Sequence, residues 1–273
     1  RRFACYHAPH PPMLRTIHVH RYVTPLREGG SLPGVVEGSD LGTWVVKFRG
    51  AGQGLKVLVA EVVVGELARA LGLRVPELEL VELPEAIAKY EADEEVQDLL
   101  TASVGLNLGV DLLPGAFAYD GSIPPPADEA ATILWLDAFT ANIDRTPHNP
   151  NLVRWHGQTW CIDHGAALYF HYSWPSKGSH PERFAAQRFD LGSHIMAGVV
   201  DPSPAAAAAA HERLAAAVEH GRDLRVRVDV DEAAAELVAF VDPDQPGVVL
   251  GVMTRGQKLL EHHRHLHPIG GGQ

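Results

Sequence analysis

Asp144 is followed five residues later by Asn149 and nineteen later by Asp163, within Asn142-Ile143-Asp144-Arg145-Thr146-Pro147-His148-Asn149-Pro150-Asn151-Leu152 and then Ile162-Asp163-His164-Gly165. Two carboxylates and a carboxamide at this spacing can orient an attacking hydroxyl and hold magnesium on nucleotide phosphates. Asp144 would accept or orient the hydroxyl proton, Asn149 would offer a neutral oxygen, and Asp163 the main metal carboxylate. Aspartate and asparagine are also common turn formers, so the pattern taken alone is an ordinary loop signature too. Arg145 can neutralise phosphate or pair locally. His148, His164 and Asn151 are weaker candidates.

Such a loop needs a nucleotide platform upstream, and one can be read in the right order. Thr16 to Val23, Gly34 to Glu37 and Thr43 to Phe48 alternate as three antiparallel strands separated by turns at Gly29-Gly30-Ser31 and Gly38-Ser39-Asp40. Gly29, Gly30 and Ser31 can present backbone N–H groups to phosphate, as can the second glycine-rich stretch Gly50 to Gly54. Lys47 closes the third strand, and Glu61 lies on the helix expected from Leu58 to Leu71, which Gly72 stops. A strand lysine paired with a helix glutamate can grip nucleotide phosphates. The plainer alternative makes Lys47 a strand end and Glu61 part of a wet helix face. Leu73 to Leu83 gives one or two further strands. Beyond it the chain reads mostly as helix: Glu94 to Ala102, Asp128 to Ala141 behind the rigid Pro124-Pro125-Pro126, Ala205 to Gly221, Glu232 to Phe240, and Gln257 to His265.

With 273 residues, 46% of them hydrophobic, the chain can build one large core or two packed lobes. A net charge of −11 argues against a broad nucleic-acid or anionic-membrane surface. No apolar run is long enough to span a bilayer, since Lys56, Glu61, Glu66 and Arg69 interrupt the best one. Cys5 and Cys161 are isolated, which points to a reducing compartment and to the cytoplasm as the expected location. Sixteen histidines invite a metal reading, but His263 and His267 lack an HExxH glutamate, and no G-x-S-x-G elbow supports a hydrolase.

Together Gly29-Gly30-Ser31-Leu32-Pro33, Val45 to Gly54, Glu61 through Glu77, and the Asp144, Asn149 and Asp163 motifs resemble the HipA-like kinase family over roughly Val19 to Trp174. The resemblance implies an α+β, bilobal protein-kinase-like fold: a small antiparallel β-rich N-lobe with one helix, then a larger, mainly helical C-lobe. Residues 1–14 would be an N-terminal extension, 15–84 the N-lobe and 85–273 the C-lobe carrying the catalytic and metal-binding loops. It implies ATP and Mg²⁺ as cofactors, with Asp144 as catalytic base, Lys47 on phosphate with Gly29, Gly30, Ser31 and Glu61 nearby, and Asn149 and Asp163 on metal. Family toxins carry histidine two residues after the catalytic aspartate; Thr146 stands there in this chain, and His148 lies beyond it. The expected reaction is transfer of the γ-phosphoryl group of ATP to a hydroxyl, a protein serine or threonine being the first expectation and a small molecule the second. A pseudokinase or nucleotide-sensing module is the third. No nucleic-acid or membrane partner is expected.

Overall fold

The computed structural model describes residues 14–27, 31–52, 54–169, 189–200, Glu212 and four later strands. Strands β1 (Thr16–Pro25), β2 (Gly34–Gly38) and β3 (Thr43–Lys47) form an antiparallel meander. In β1 the period-two pattern buries Ile17 and Val19 and leaves Thr16 and His18 in water. Helix α1 (Leu55–Ala70) follows, then β4 (Leu78–Leu83), short helices α2 (Glu85–Lys89) and α3 (Glu94–Ala102), and β5 (Gly105–Asp111). β5 pairs antiparallel with both β3 and β4, and β4 returns parallel to β1, so the five strands close into a barrel in the order β1-β2-β3-β5-β4.

The barrel interior holds Ile17, Val19, Val36, Trp44, Val46 and Val81, capped by Ala88, Val96 and Leu100 of α2 and α3. Gly109 of β5 makes that filling possible, because a Cβ there would stand 2.4 Å from Val81 Cγ2 and 3.3 Å from Trp44 Cε3. Gly109→Ala should therefore destabilise the chain. Overpacking of about 1–3 kcal/mol exceeds the ~0.4–1 kcal/mol that alanine gains from a less flexible unfolded state. A lower urea midpoint at unchanged m-value is the expected reading.

Helix α1 is the spine of the molecule. Leu58 and Val62 pack on Leu78 and Leu108 outside the barrel, while Val63, Val64 and Leu67 pack on Ile133, Leu136 and Phe139 of α4 (Ala127–Thr140). It ends where glycine was expected to end it. Gly72 is left-handed at φ 82°, its N–H donates to Arg69 O at 3.0 Å, and Leu73 N–H donates to Ala68 O at 3.0 Å, the paired bonds of a Schellman close.

The chain is α+β, but the expected bilobal arrangement with a larger helical C-lobe is not what forms. After α3 the chain first completes the barrel through β5. It then builds a three-stranded sheet, β6 (Phe117–Ala118), β7 (Leu152–Trp155) and β8 (Gln158–Cys161), and a four-stranded sheet, β9 (Leu224–Val228), β10 (Ala235–Val241), β11 (Val248–Thr254) and β12 (Leu260–Arg264). The helices expected at 232–240 and 257–265 are thus replaced largely by β10 and β12. Alanine, glutamate and leucine favour helix intrinsically, yet β10 is paired along its length by β11 and over much of it by β9, and that pairing overrides propensity. The helix expected at 205–221 lies outside the described residues except at Glu212. Among the described residues no helix is long and apolar enough to cross a membrane.

Candidate active site

Strand β3 is held on both sides, by β2 and β5, with Lys47 opposite Leu108. This fixes the stem of Lys47, whose ammonium lies 2.9 Å from Glu61 Oε2 and 2.8 Å from Asp163 Oδ1. Glu61 is not on a wet helix face; it is 2% exposed, one helical turn beyond Val57 and beside Gly165. A Cβ at Gly165 would come 2.5 Å from Val57 Cγ1 and 3.4 Å from Glu61 Oε2, so only glycine lets the loop after Asp163 lie against α1.

Burial pulls the Lys47 ammonium down, but Glu61 and Asp163 outweigh it and hold its pKa above the ordinary lysine value. Burial pushes the Asp163 carboxyl up, and Lys47 overcomes this to hold it below the usual carboxylate range. Burial of Glu61, only partly offset by Lys47, keeps that carboxyl above its ordinary value. The side chain of Asp163 is half exposed, so it is open to a ligand while Glu61 stays behind the lysine.

The second group of residues follows α4. Ala141 takes a left-handed conformation at φ 55° and turns the chain out of the helix, with Asn142 N–H donating to Asp137 O at 2.8 Å. Asp144 Oδ2 then accepts from Asn149 Nδ2 at 2.8 Å and from Asn151 Nδ2 at 3.1 Å, while Asp144 N–H donates to Asn142 Oδ1 at 3.2 Å. Asn151 and Asp163 are left-handed as well, at φ 48° and 54°. Non-glycine residues in that region carry strain of about 1–3 kcal/mol each, a cost that clusters at functional loops.

Beneath both loops is a buried polar network. Asp137, 0% exposed in the last turn of α4, accepts from Arg145 Nε at 2.6 Å, Asn142 Nδ2 at 2.9 Å and His194 Nε2 at 2.9 Å. His194 Nδ1 accepts from Met196 N–H at 3.1 Å, which leaves the proton on Nε2 for Asp137. Arg145, 1% exposed, also donates to Asn151 O, to Ile162 O at 3.3 Å and to His164 Nδ1 at 3.2 Å. It therefore braces the Asp144 loop against the Asp163 loop. Its role is local pairing, not phosphate neutralisation. Burial holds Asp137 up but Arg145 and His194 prevail and keep it ionised below its usual range.

His164 is fully enclosed here. Burial, with Arg145, pushes its pKa down from 6.5 to about 3. Between those values the unfolded chain binds a proton that the folded chain refuses, so stability should fall as pH drops below 6.5, by up to about 1.4 kcal/mol per pH unit. Urea midpoints of the wild type are expected to decline from pH 6.5 to pH 4, and His164→Gln should flatten that slope.

Of the residues singled out from sequence, Lys47, Glu61 and Asp163 come together, as do Asp144 and Asn149, and Arg145 joins the two groups. Ser31 is exposed in the β1–β2 connection, whose ends are tied by Leu26 N–H donating to Pro33 O at 2.7 Å. Gly29 and Gly30 lie outside the described residues, as does His267, while His263 lies in β12. Among the described residues no three His, Cys, Asp or Glu side chains cluster as a metal site. Sequence reasoning missed Asp137, Asn142 and His194. Asp137 had a signal, being a lone carboxylate inside Ile133-Leu134-Trp135-Leu136-Asp137-Ala138-Phe139, where a buried charge must find partners.

Comparison with known protein families matches residues 19–180, more than half of the chain, to the description HipA-like kinase. The chain belongs to the HipA-like kinase family. Both groups of polar residues fall inside the matched region, and kinase is the activity at the level of this family. No curated protein and no solved structure matches the chain.

Proposed function

We propose that this HipA-like kinase transfers the γ-phosphoryl group of ATP to a serine or threonine hydroxyl of a protein. The observation that carries the reading is the junction of Lys47, Glu61 and Asp163 with the Asp144 loop through Arg145. Lys47 is a charged ammonium already aimed by two carboxylates, and nucleotide phosphates can replace Asp163 as its partner. From the glycine-rich sequence alone, Gly29, Gly30 and Ser31 would offer backbone N–H groups to phosphate. Both carboxamides donate to Asp144 Oδ2, which leaves Oδ1 to orient the acceptor hydroxyl and take its proton.

The oxygens present suit magnesium. Asn149 points its Nδ2 at Asp144, so its Oδ1 is left for a cation, and Asp163 keeps Oδ2 clear of Lys47. Both are hard oxygen donors, the type Mg²⁺ takes alongside phosphate and water. When bound, the ion would neutralise phosphate charge; the rest falls to positioning by this chain's side chains.

The test is incubation with Mg²⁺ and γ-labelled ATP, alone and with cell lysate, beside Asp163→Ala. Label on protein bands that disappears in the variant is the expected result. Label only in small molecules would transfer the reading to a small-molecule kinase. ATP binding without transfer or hydrolysis would make the chain a nucleotide sensor, and undiminished labelling by the variant would remove Asp163 from the site.

A further inference from the structure

A cavity of about 220 Å³ opens beside the Asp144 loop, walled by Ile143 and Phe189, with Asp190 and Ser193 at its mouth and Arg145 and His194 on its floor. We propose that it seats one side chain of the protein acceptor, a lysine or arginine within a few residues of the phosphorylated hydroxyl. This rests on the protein-kinase reading above and names what that kinase selects.

Size comes first. Small-ligand sites usually occupy roughly 300–1,000 Å³, so this cavity is scaled to a single side chain. Position comes next. Ile143 is the residue before Asp144, about 3.8 Å away along the chain, so a side chain resting on Ile143 belongs to a residue near the hydroxyl that Asp144 orients. The surface is apolar and otherwise wasted on water: Ile143 is 64% exposed and Leu191, next to Asp190, is 38% exposed.

Charge decides which side chain. The floor offers no free cation, because the Arg145 guanidinium is spent on Asp137, Asn151, Ile162 and His164. Both nitrogens of His194 are likewise engaged, Nε2 with Asp137 and Nδ1 with Met196 N–H. At the mouth, Asp190 Oδ1 accepts from Gly192 N–H at 3.0 Å, which fixes the carboxylate, while Oδ2 has no partner among the described residues. An apolar wall ending in a fixed, exposed carboxylate fits an aliphatic stem with a cationic head. The net charge of −11 favours the approach of basic segments to the protein as a whole.

The experiment is phosphorylation of a serine/threonine peptide library randomised at flanking positions, with ATP affinity measured in parallel, for wild type, Asp190→Lys and Ile143→Gln. Wild type should label peptides with a flanking Lys or Arg about fivefold better than matched Glu peptides, the scale of one accessible ion pair. Asp190→Lys should erase or invert that preference, and Ile143→Gln should weaken transfer to the preferred peptide. Both variants should bind ATP like wild type. An unchanged basic preference in Asp190→Lys, or no flanking preference in wild type, overturns the proposal. So does failure of wild type to label any peptide. The kinase reading falls with it only if ATP-derived label also appears on no lysate protein.

Discussion

Asp144→Asn is expected to lower the rate of phosphoryl transfer by about 10²–10⁴-fold, the usual contribution of a positioned general base, while ATP binding stays near that of wild type. Among the described residues the carboxylate touches only carboxamide donors, Asn149 Nδ2 and Asn151 Nδ2, and no cation is bonded to it. A carboxamide of the same shape can turn its oxygen to both donors, so the loop keeps its course and stability should change by no more than about 1 kcal/mol. What is lost is the second oxygen as a proton acceptor. Single-turnover transfer and ATP titration on the same preparation separate the two effects. A variant that transfers at the wild-type rate would show that Asp144 is a loop-forming residue alone.

Arg145→Met should be the most damaging single change to the fold. It leaves the buried Asp137 carboxylate with only Asn142 and His194, and strips Ile162 O and His164 Nδ1 of their guanidinium donor. Removing one partner of a buried ion pair costs about 3–5 kcal/mol, against a total of roughly 5–15 kcal/mol for a typical domain. Adding Asp137→Asn should recover part of that loss, because the stranded charge goes with it. The two changes are then non-additive by about 0.5–3 kcal/mol. Urea unfolding of the four proteins in the cycle measures this. An Arg145→Met midpoint equal to wild type would mean the brace contributes nothing.

How much of this could be read beforehand differs between neighbouring residues. The strands ending at Pro25, Gly38 and Lys47, and the helix closed by Gly72, followed from alternation, apolar spacing and glycine, all local effects. The barrel did not, because closure depends on β5, whose Gly105-Leu106-Asn107-Leu108-Gly109 carries little strand propensity and is shaped by what it packs against. In β10, helix-favouring Ala235, Glu236 and Leu237 are held as strand by both neighbours. In the site, the intervals from Asp144 to Asn149 and Asp163 were visible because they are short-range. The Asp137 carboxylate and the imidazole of His194 are fifty-seven residues apart, and only the completed fold makes them one unit.

The ring of β1-β2-β3-β5-β4 has a consequence for recruitment. Many proteins capture an extended partner by letting it join a sheet as one more strand, which requires a row of unpaired backbone N–H and C=O groups. In this barrel every strand has two neighbours, so the ring carrying Lys47 has no open edge to lend. A protein acceptor of the kind proposed therefore could not join this ring as an added strand, and its capture would fall to loops, side chains or the margins of the two smaller sheets.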